Sequence, residues 1–345
     1  MKNYCTSLLL SILTVTLMSS CQKDKSETPF QEPKFYYVGY SYSQSYQDAD
    51  RRALVCIGDS IVRLSPQTRS DAVAIHVYGE DIYTTGFQYS GDTRRVVYWK
   101  NAKIKRLGTQ YPYNTGTAIF ADANNVYVAG TVYETVEGRT VPFQHVWVND
   151  TFLKKWGALS FSGIYDFSPY QGTLYMAGSF GQTATLWTGD TMRSLASNGS
   201  EACEVNIVDG DVYVLGWEVV NVETDAVSAW KYREKEERLE KVFSHELGKR
   251  IAKMDGVMYG KDYYYVINPN NSTIASVYKN DRLLYDLSGA GNVKAEAIKV
   301  YGGKVYVLGH LLEGTSSTPM LWVDGEPNTL FAPEQKIYLH DFFIL

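Results

Sequence analysis

The sequence has no basic excess. Its 33 Lys and Arg are outnumbered by 38 Asp and Glu, giving a formal charge of −5, whereas a surface that tracks nucleic-acid phosphates needs the opposite sign. No apolar run reaches the ~20 residues that a helix needs to cross a bilayer; the run from Leu8 to Met18, LLLSILTVTLM, falls well short. The G-x-S-x-G elbow, HExxH, CxxC and a glycine-rich phosphate loop are all missing, as is the S-x-D-x-G-x-x-W box of sialidase-type propellers. His76, His145, His245, His310 and His340 fall in separate segments without metal-ligand spacing, so no metal set is predicted from them. No residue pattern therefore points to a known catalytic chemistry or a resident cofactor. Hydrophobic content of 45% with 21% charged residues excludes a disordered or collagen-like chain.

What the chain does have is tyrosine, 28 of them. Tyrosine favours half-buried strands over helices, so the composition points to an all-β protein. The N-terminus carries a second signal. Lys2, the apolar run and the small residues Ser19-Ser20-Cys21 have the layout of a secretory signal peptide. Leu17-Met18-Ser19-Ser20-Cys21 resembles the lipobox of bacterial lipoproteins, with Met18 in place of the usual Leu; the resemblance implies lipidation at Cys21. Residues after Cys21, QKDKSETPFQEP, are polar and proline-bearing and read as a flexible tether. The start of this stretch resembles the charged export signal of Bacteroidota surface lipoproteins, which implies an outer-membrane protein anchored by lipid and facing outward. The predicted organisation is signal peptide 1–20, tether 21–33 and a single domain, 34–345. Cys56 and Cys203 then remain, in separate repeat units, and are predicted to be unpaired thiols.

The domain is a repeat. Tyr-x-x-Gly recurs as Tyr36-Tyr37-Val38-Gly39 and in DIYTTG (Tyr83), NVYVAG (Tyr127), TLYMAG (Tyr175), DVYVLG (Tyr213) and KVYVLG (Tyr306), with DYYYVI (Tyr264) a copy lacking the Gly. Each is followed by an aromatic residue and a polar turn, as in Trp99-Lys-Asn, Trp147-Val-Asn-Asp, Trp187-Thr-Gly-Asp, Trp230-Lys-Tyr, Tyr278-Lys-Asn-Asp and Trp322-Val-Asp-Gly; Cys56-Ile-Gly-Asp takes the place in the first copy. A spacing of roughly 40–50 residues is that of a four-stranded propeller blade. The first copy lacks an innermost strand, and the last residues, Ile337 to Leu345, form a strand without a partner. Together they complete one blade, so the expected fold is a seven-bladed β-propeller closed by its two ends. The repeat is similar to that of other Bacteroidota lipoproteins reading roughly DVYVAG…WKNG, a resemblance that specifies a fold and no activity.

Two sets of candidate functional residues follow. Aligned on the next turn, Asp166, Glu204 and Glu296 share one register of the innermost strands, with His340 and Asp341 close to that level. They are expected to converge in the central channel, as hydrated polar lining, as oxygen ligands for a cation such as calcium, or as the acid and base of a glycan hydrolase with carboxyls ~5–9.5 Å apart. The second set lies on stretches after each second strand (Tyr40 to Arg52, Phe87 to Arg95, Thr131 to Gln144, Trp217 to Ala229, His310 to Pro319), expected to be long loops gathered on one face. Their aromatics and neighbours, Tyr40, Tyr42, Tyr46, Phe87, Tyr89, Tyr133, Phe180, Trp217 and His310, with Tyr111 and Tyr113 nearby, are candidates for contact with a glycan, a small nutrient or an outer-membrane protein partner. A binding protein, a scaffold or adhesin, and a glycan hydrolase all remain open readings.

Overall fold

The computed structural model describes residues 32–42, 50–157, 162–287 and 291–345. The signal peptide, Cys21, most of the tether and Tyr46 lie outside the described residues. Lys34–Leu345 form one compact unit of seven four-stranded antiparallel sheets. Six sheets are contiguous in sequence and form blades two to seven in chain order: 70–111, 115–156, 163–198, 200–246, 251–286 and 292–329. The seventh is completed by the C-terminal strand Ile337–Ile344, which pairs antiparallel with Phe35–Tyr42 as the innermost strand of blade one. The chain is thus a seven-bladed β-propeller with the predicted closure.

Each blade rises from local chemistry. In blade seven, Asn292–Tyr301 and Lys304–Glu313 pair across Gly302 and Gly303, whose φ values of 58° and 78° demand a residue at ease in the left-handed region. Alternate side chains Ile298, Val305 and Val307 are buried, while Lys304 faces solvent. The repeated Trp closes the gap between blades: Trp99, Trp187, Trp230 and Trp322 are essentially inaccessible. Seven apolar clusters each join two neighbouring blades, the last tying Leu308 and Leu321 of blade seven to Tyr37, Leu54 and Phe342 of blade one. The core is therefore a continuous ring, and both remaining cysteines are free within it, as predicted.

The repeated glycine has a structural reason of its own. In six blades the innermost strand bulges directly beside the residue facing that glycine, at Val73, Thr117, Tyr165, Cys203, Glu296 and His340. The bulge drives a carbonyl over the glycine: a Cβ on Gly178 would sit 1.9 Å from the Gly163 oxygen, and one on Gly86 2.1 Å from that of Asp71. Blade six has Ile267 where the glycine would be, and its bulge has moved to between Ile251 and Lys253, opposite Asn268 and Pro269.

Among the described residues three of the five expected loops are strand hairpins, the Trp217 to Ala229 stretch keeps a loop at 220–224, and residues 43–49 of the first lie outside the described residues. Phe87 to Arg95 runs through Asp81–Ser90 and Thr93–Lys100 with a two-residue turn, and Thr131 to Gln144 through Val126–Val136 and Arg139–Val148 with a turn at Glu137-Gly138. His310 to Pro319 belongs to a similar hairpin. Polar residues at these hairpin tips resembled loop composition while keeping the strand alternation.

Candidate functional site

The seven innermost strands surround an axial cavity of about 650 Å³. Pairing registers sort its lining into layers. Residues opposite the position preceding the landmark glycine are Ala74, Ala118, Asp166, Glu204, Asp255, Ala297 and Asp341. Those opposite the landmark Tyr are His76, Phe120, Ser168, Asn206, Val257, Lys299 and Phe343. All fourteen line the cavity.

Asp166 and Glu204 do share a register, but Glu296 does not. It occupies the bulge, one residue nearer the hairpin face, and Ala297 takes the register position. The Gly302-Gly303 turn allows two alignments one residue apart, and the bulge cannot be read from residue types. Asp255 and Asp341 complete the acidic layer instead. Lys299, which sequence reasoning did not single out, belongs to the layer beneath.

The carboxylates staple blades together. Asp166 accepts the Val205 N–H at 2.9 Å, Asp255 that of Ile298 at 2.8 Å, and Asp341 that of Ile75 at 3.2 Å, each on the next blade's innermost strand. Innermost strands have an unpaired inner edge, so these bonds satisfy amides that would otherwise need water. Glu204 has its Oε2 buried with no hydrogen-bond partner among the described residues. Burial pushes the Asp166 carboxyl up to about 7 and raises those of Glu204 and Asp255 as well. Burial alone would discharge Lys299, but Asp341, Asp255, Glu204 and Asp166 outweigh it and hold the ammonium charged. Lys299 is thus the cation placed among these acids. Among the described residues, no group of three or more His, Cys, Asp or Glu is arranged to hold a metal ion.

The two halves of the cavity differ. On blades one to three, His76 packs against Phe120 (ring centroids 4.4 Å apart) and Phe343 (5.1 Å), beside the small Ala74 and Ala118. Burial lowers His76 to about 4, leaving it neutral. On blades four to seven the polar lining is Asp166, Glu204, Asp255, Ser168, Asn206 and Lys299, beside Val257 and Ala297, and the remaining acid of the layer, Asp341, belongs to blade one next to Phe343. The half-buried Cys203 lies on the polar side, its thiol donating to the Leu215 carbonyl at 3.4 Å, and desolvation and the nearby carboxylates push its pKa far up, which disfavours the reactive thiolate.

Towards the hairpin face, Glu296 joins Lys253, Lys294 (2.9 Å) and the Tyr338 hydroxyl, which donates to it at 2.5 Å. Burial would raise this carboxyl, yet the two ammonium groups bring it down to about 2. Tyr338 stacks on His310 (3.8 Å) and on Tyr40 (5.5 Å), and Arg51 lies over Tyr40 at 4.2 Å while pairing with Asp71. This stack accounts for two of the aromatic candidates. Tyr40 is 7% and His310 0% exposed, and Phe87 is 5% exposed under Arg94. Their burial leaves them packing surfaces rather than ligand contacts, a correction to the aromatic face expected from sequence. Trp217 and Phe180 pack partly buried against the clusters joining blades five and six and blades three and four. Tyr42 sets its ring edge-on to Tyr40, and Tyr133 sets its own against Tyr113. The candidates thus divide among separate blades and form no single patch.

No family model matches the chain, and no curated protein matches it. Solved structures do. A puromycin-hydrolysing peptidase of Mycobacterium tuberculosis superposes with a TM-score of 0.52 at 11% identity, covering 85% of this chain and 53% of that one. An acylaminoacyl peptidase in complex with Z-Gly-Gly-Phe-chloromethyl ketone gives 0.51 at 12% (87% and 51%), and the Pyrococcus horikoshii acylaminoacyl peptidase 0.50 at 11% (87% and 50%). The chain spans about half the length of these peptidases, and at such identity the likeness is one of fold.

Proposed function

We propose that this propeller is a non-catalytic, lipid-anchored binding protein of the outer cell surface that seats a small ligand in its axial cavity. The observation that carries the reading is the two-sided lining. A cavity of about 650 Å³ lies within the range of small-molecule sites. It offers an aromatic wall at His76, Phe120 and Phe343 opposite an acidic wall at Asp166, Glu204 and Asp255. A molecule with one apolar face and one face rich in N–H or O–H donors, such as a sugar or an amine, fits both. Glu204, which lines this acidic wall, is the side chain offered to its donors. Catalysis is disfavoured because Asp166 and Asp255 are engaged by backbone amides. Anchoring rests on the sequence from Lys2 to Cys21 and places the ligand seat outside the membrane.

The test is a thermal-shift screen of the purified chain against sugars and amines. A ligand at a hundred times its Kd adds about 2.7 kcal/mol, which a melting curve resolves. Glu204→Gln and the cavity-filling Ser168→Phe should abolish any shift. A shift that survives Ser168→Phe places the ligand elsewhere and overturns the reading. For the anchor, Cys21→Ser should release the protein from the membrane fraction.

A further inference from the structure

Outside the cavity, the hairpin end of blade two gathers arginines on aromatic rings. Arg94 lies 4.5 Å above Phe87 and 5.9 Å from both Tyr89 and Tyr113, and Arg69 lies 3.8 Å above Tyr89. Among the described residues the one hydrogen bond of Arg94 is from Nε, donated to the Pro112 carbonyl at 3.2 Å. Arg106 donates to Gln88 at 3.1 Å, and Arg95 keeps a buried Nε with no acceptor. Among the described residues of blade two, the acids at this end are Asp71, which pairs with Arg51 and His340, and the exposed turn residue Asp92. Among the described residues, neither forms an ion pair with Arg94, Arg95 or Arg106. Burial and the nearby charges of Arg69 and Arg51 both weigh against Arg94's own charge. On a chain of net charge −5 this is a local positive field. Beside it Tyr113, 60% exposed, stands edge-on to Tyr133 with ring centroids 5.6 Å apart.

We infer that the edge of blade two binds an acidic saccharide, with Tyr113 stacking on a sugar ring and the Arg94 fork, backed by Arg69 and Arg106, taking its carboxylate or sulfate. The guanidinium fork matches both anions in two-point geometry. Stacking it on Phe87 fixes its plane before any ligand arrives. An exposed tyrosine ring offers the flat face on which a sugar's C–H surface packs. The site goes beyond the cavity reading and stands or falls independently of it.

Titration calorimetry on the purified chain tests the site with alginate oligomers (carboxylate), dextran sulfate (sulfate ester), neutral dextran and polyglutamate. At least one of the two acidic saccharides should bind, and which one does identifies the anion. Arg94→Met, which keeps the stem over Phe87, should weaken that binding at least tenfold, Arg94→Lys by less, and Tyr113→Ala three- to tenfold. Lys261→Met, on an exposed turn at the opposite face, should leave it unchanged. Ser168→Phe in the cavity should also leave it unchanged, which separates this site from the axial seat. The inference is overturned if neither acidic saccharide binds, if dextran binds as well as dextran sulfate, or if Lys261→Met weakens binding as much as Arg94→Met. Polyglutamate binding as tightly as the saccharides would equally overturn it, because an acidic peptide would then be the better ligand.

Discussion

Asp166 and His76 line the same cavity, yet burial acts on them with opposite signs. The Asp166 carboxyl, raised to about 7, holds its proton in the folded state over a range where the unfolded chain has lost it. Its contribution therefore favours folding at acid pH and is lost as pH climbs from ~4 towards 7. Asp166→Asn keeps an oxygen for the Val205 N–H and removes the titration. It should raise stability at pH 8 by about 1–3 kcal/mol and change it little at pH 4.5, as read by urea unfolding at the two values. A variant less stable than the parent at pH 8 would show that Lys299 needs the ionised form. His76 and His310, both lowered to about 4 by burial, work the other way. Each contributes fully above ~6.5, and the contribution is lost as pH falls through 4. His76→Phe, between Phe120 and Phe343, should gain about 1–3 kcal/mol over the parent at pH 4.5 and little at pH 7.5; equal effects at both values would assign the change to packing alone. Asp166 and Glu204 were legible in sequence because the turn that follows each is unambiguous. Lys299 was not, since a lone lysine in an alternating strand resembles a solvent-facing one. The burial of Tyr40, Phe87 and His310 was equally hidden, because an aromatic near a hairpin reads the same whether an arginine (Tyr40, Phe87) or another ring (His310) covers it or not.

Within a blade, the text of the repeat and the shape of the strand carry different information. Tyr, Gly and Trp recur as letters, so blade number and strand order were legible. The bulge that explains the glycine was not, because Val73, Thr117, Tyr165, Cys203, Glu296 and His340 share no chemistry; the property conserved from blade to blade is backbone geometry. That geometry makes a sharp expectation. Gly178→Ala brings a methyl to 1.9 Å from the Gly163 carbonyl oxygen and 3.0 Å from the Ile164 Cα, both backbone atoms of the innermost strand. It should cost about 2 kcal/mol or more, since neither strand can yield without breaking its ladder. Gly157→Ala has nothing within 4 Å of the added Cβ and serves as the control. Urea unfolding of both variants decides the matter, and a Gly178→Ala cost below about 0.5 kcal/mol would mean that the bulge relaxes freely. The same reasoning explains why blade six manages without the glycine: moving the bulge towards Pro269 takes the carbonyl away from Ile267.

At the scale of the molecule, seven apolar clusters arranged as a ring make closure a cooperative property rather than a local one. The first and last strands of the propeller meet in blade one, where Lys34 and Leu345 exchange backbone hydrogen bonds at 2.9 and 3.0 Å. Removing residues 337–345 would strip Leu339 and Phe342, both fully buried, from the cluster shared with blade seven. Each such side chain is worth about 1.5–3 kcal/mol in burial alone. Adding Ile337, the lost strand pairing and the Asp341 staple to Ile75 brings the loss near the whole stability of a typical domain, about 5–15 kcal/mol. The truncated chain should therefore lose its cooperative melting transition and expose apolar surface to a dye. A circular permutant separates the two explanations for that loss, missing contacts and missing covalent order. Joining Leu345 to Lys34 through a short glycine-rich turn and opening the chain at the exposed Gly58-Asp59 turn keeps every contact of blade one and alters only the order of synthesis. It should melt within a few degrees of the parent. If it fails to fold while the natural order succeeds, closure depends on the C-terminal strand arriving last, and the ring is held by the sequence of folding events as well as by its packing.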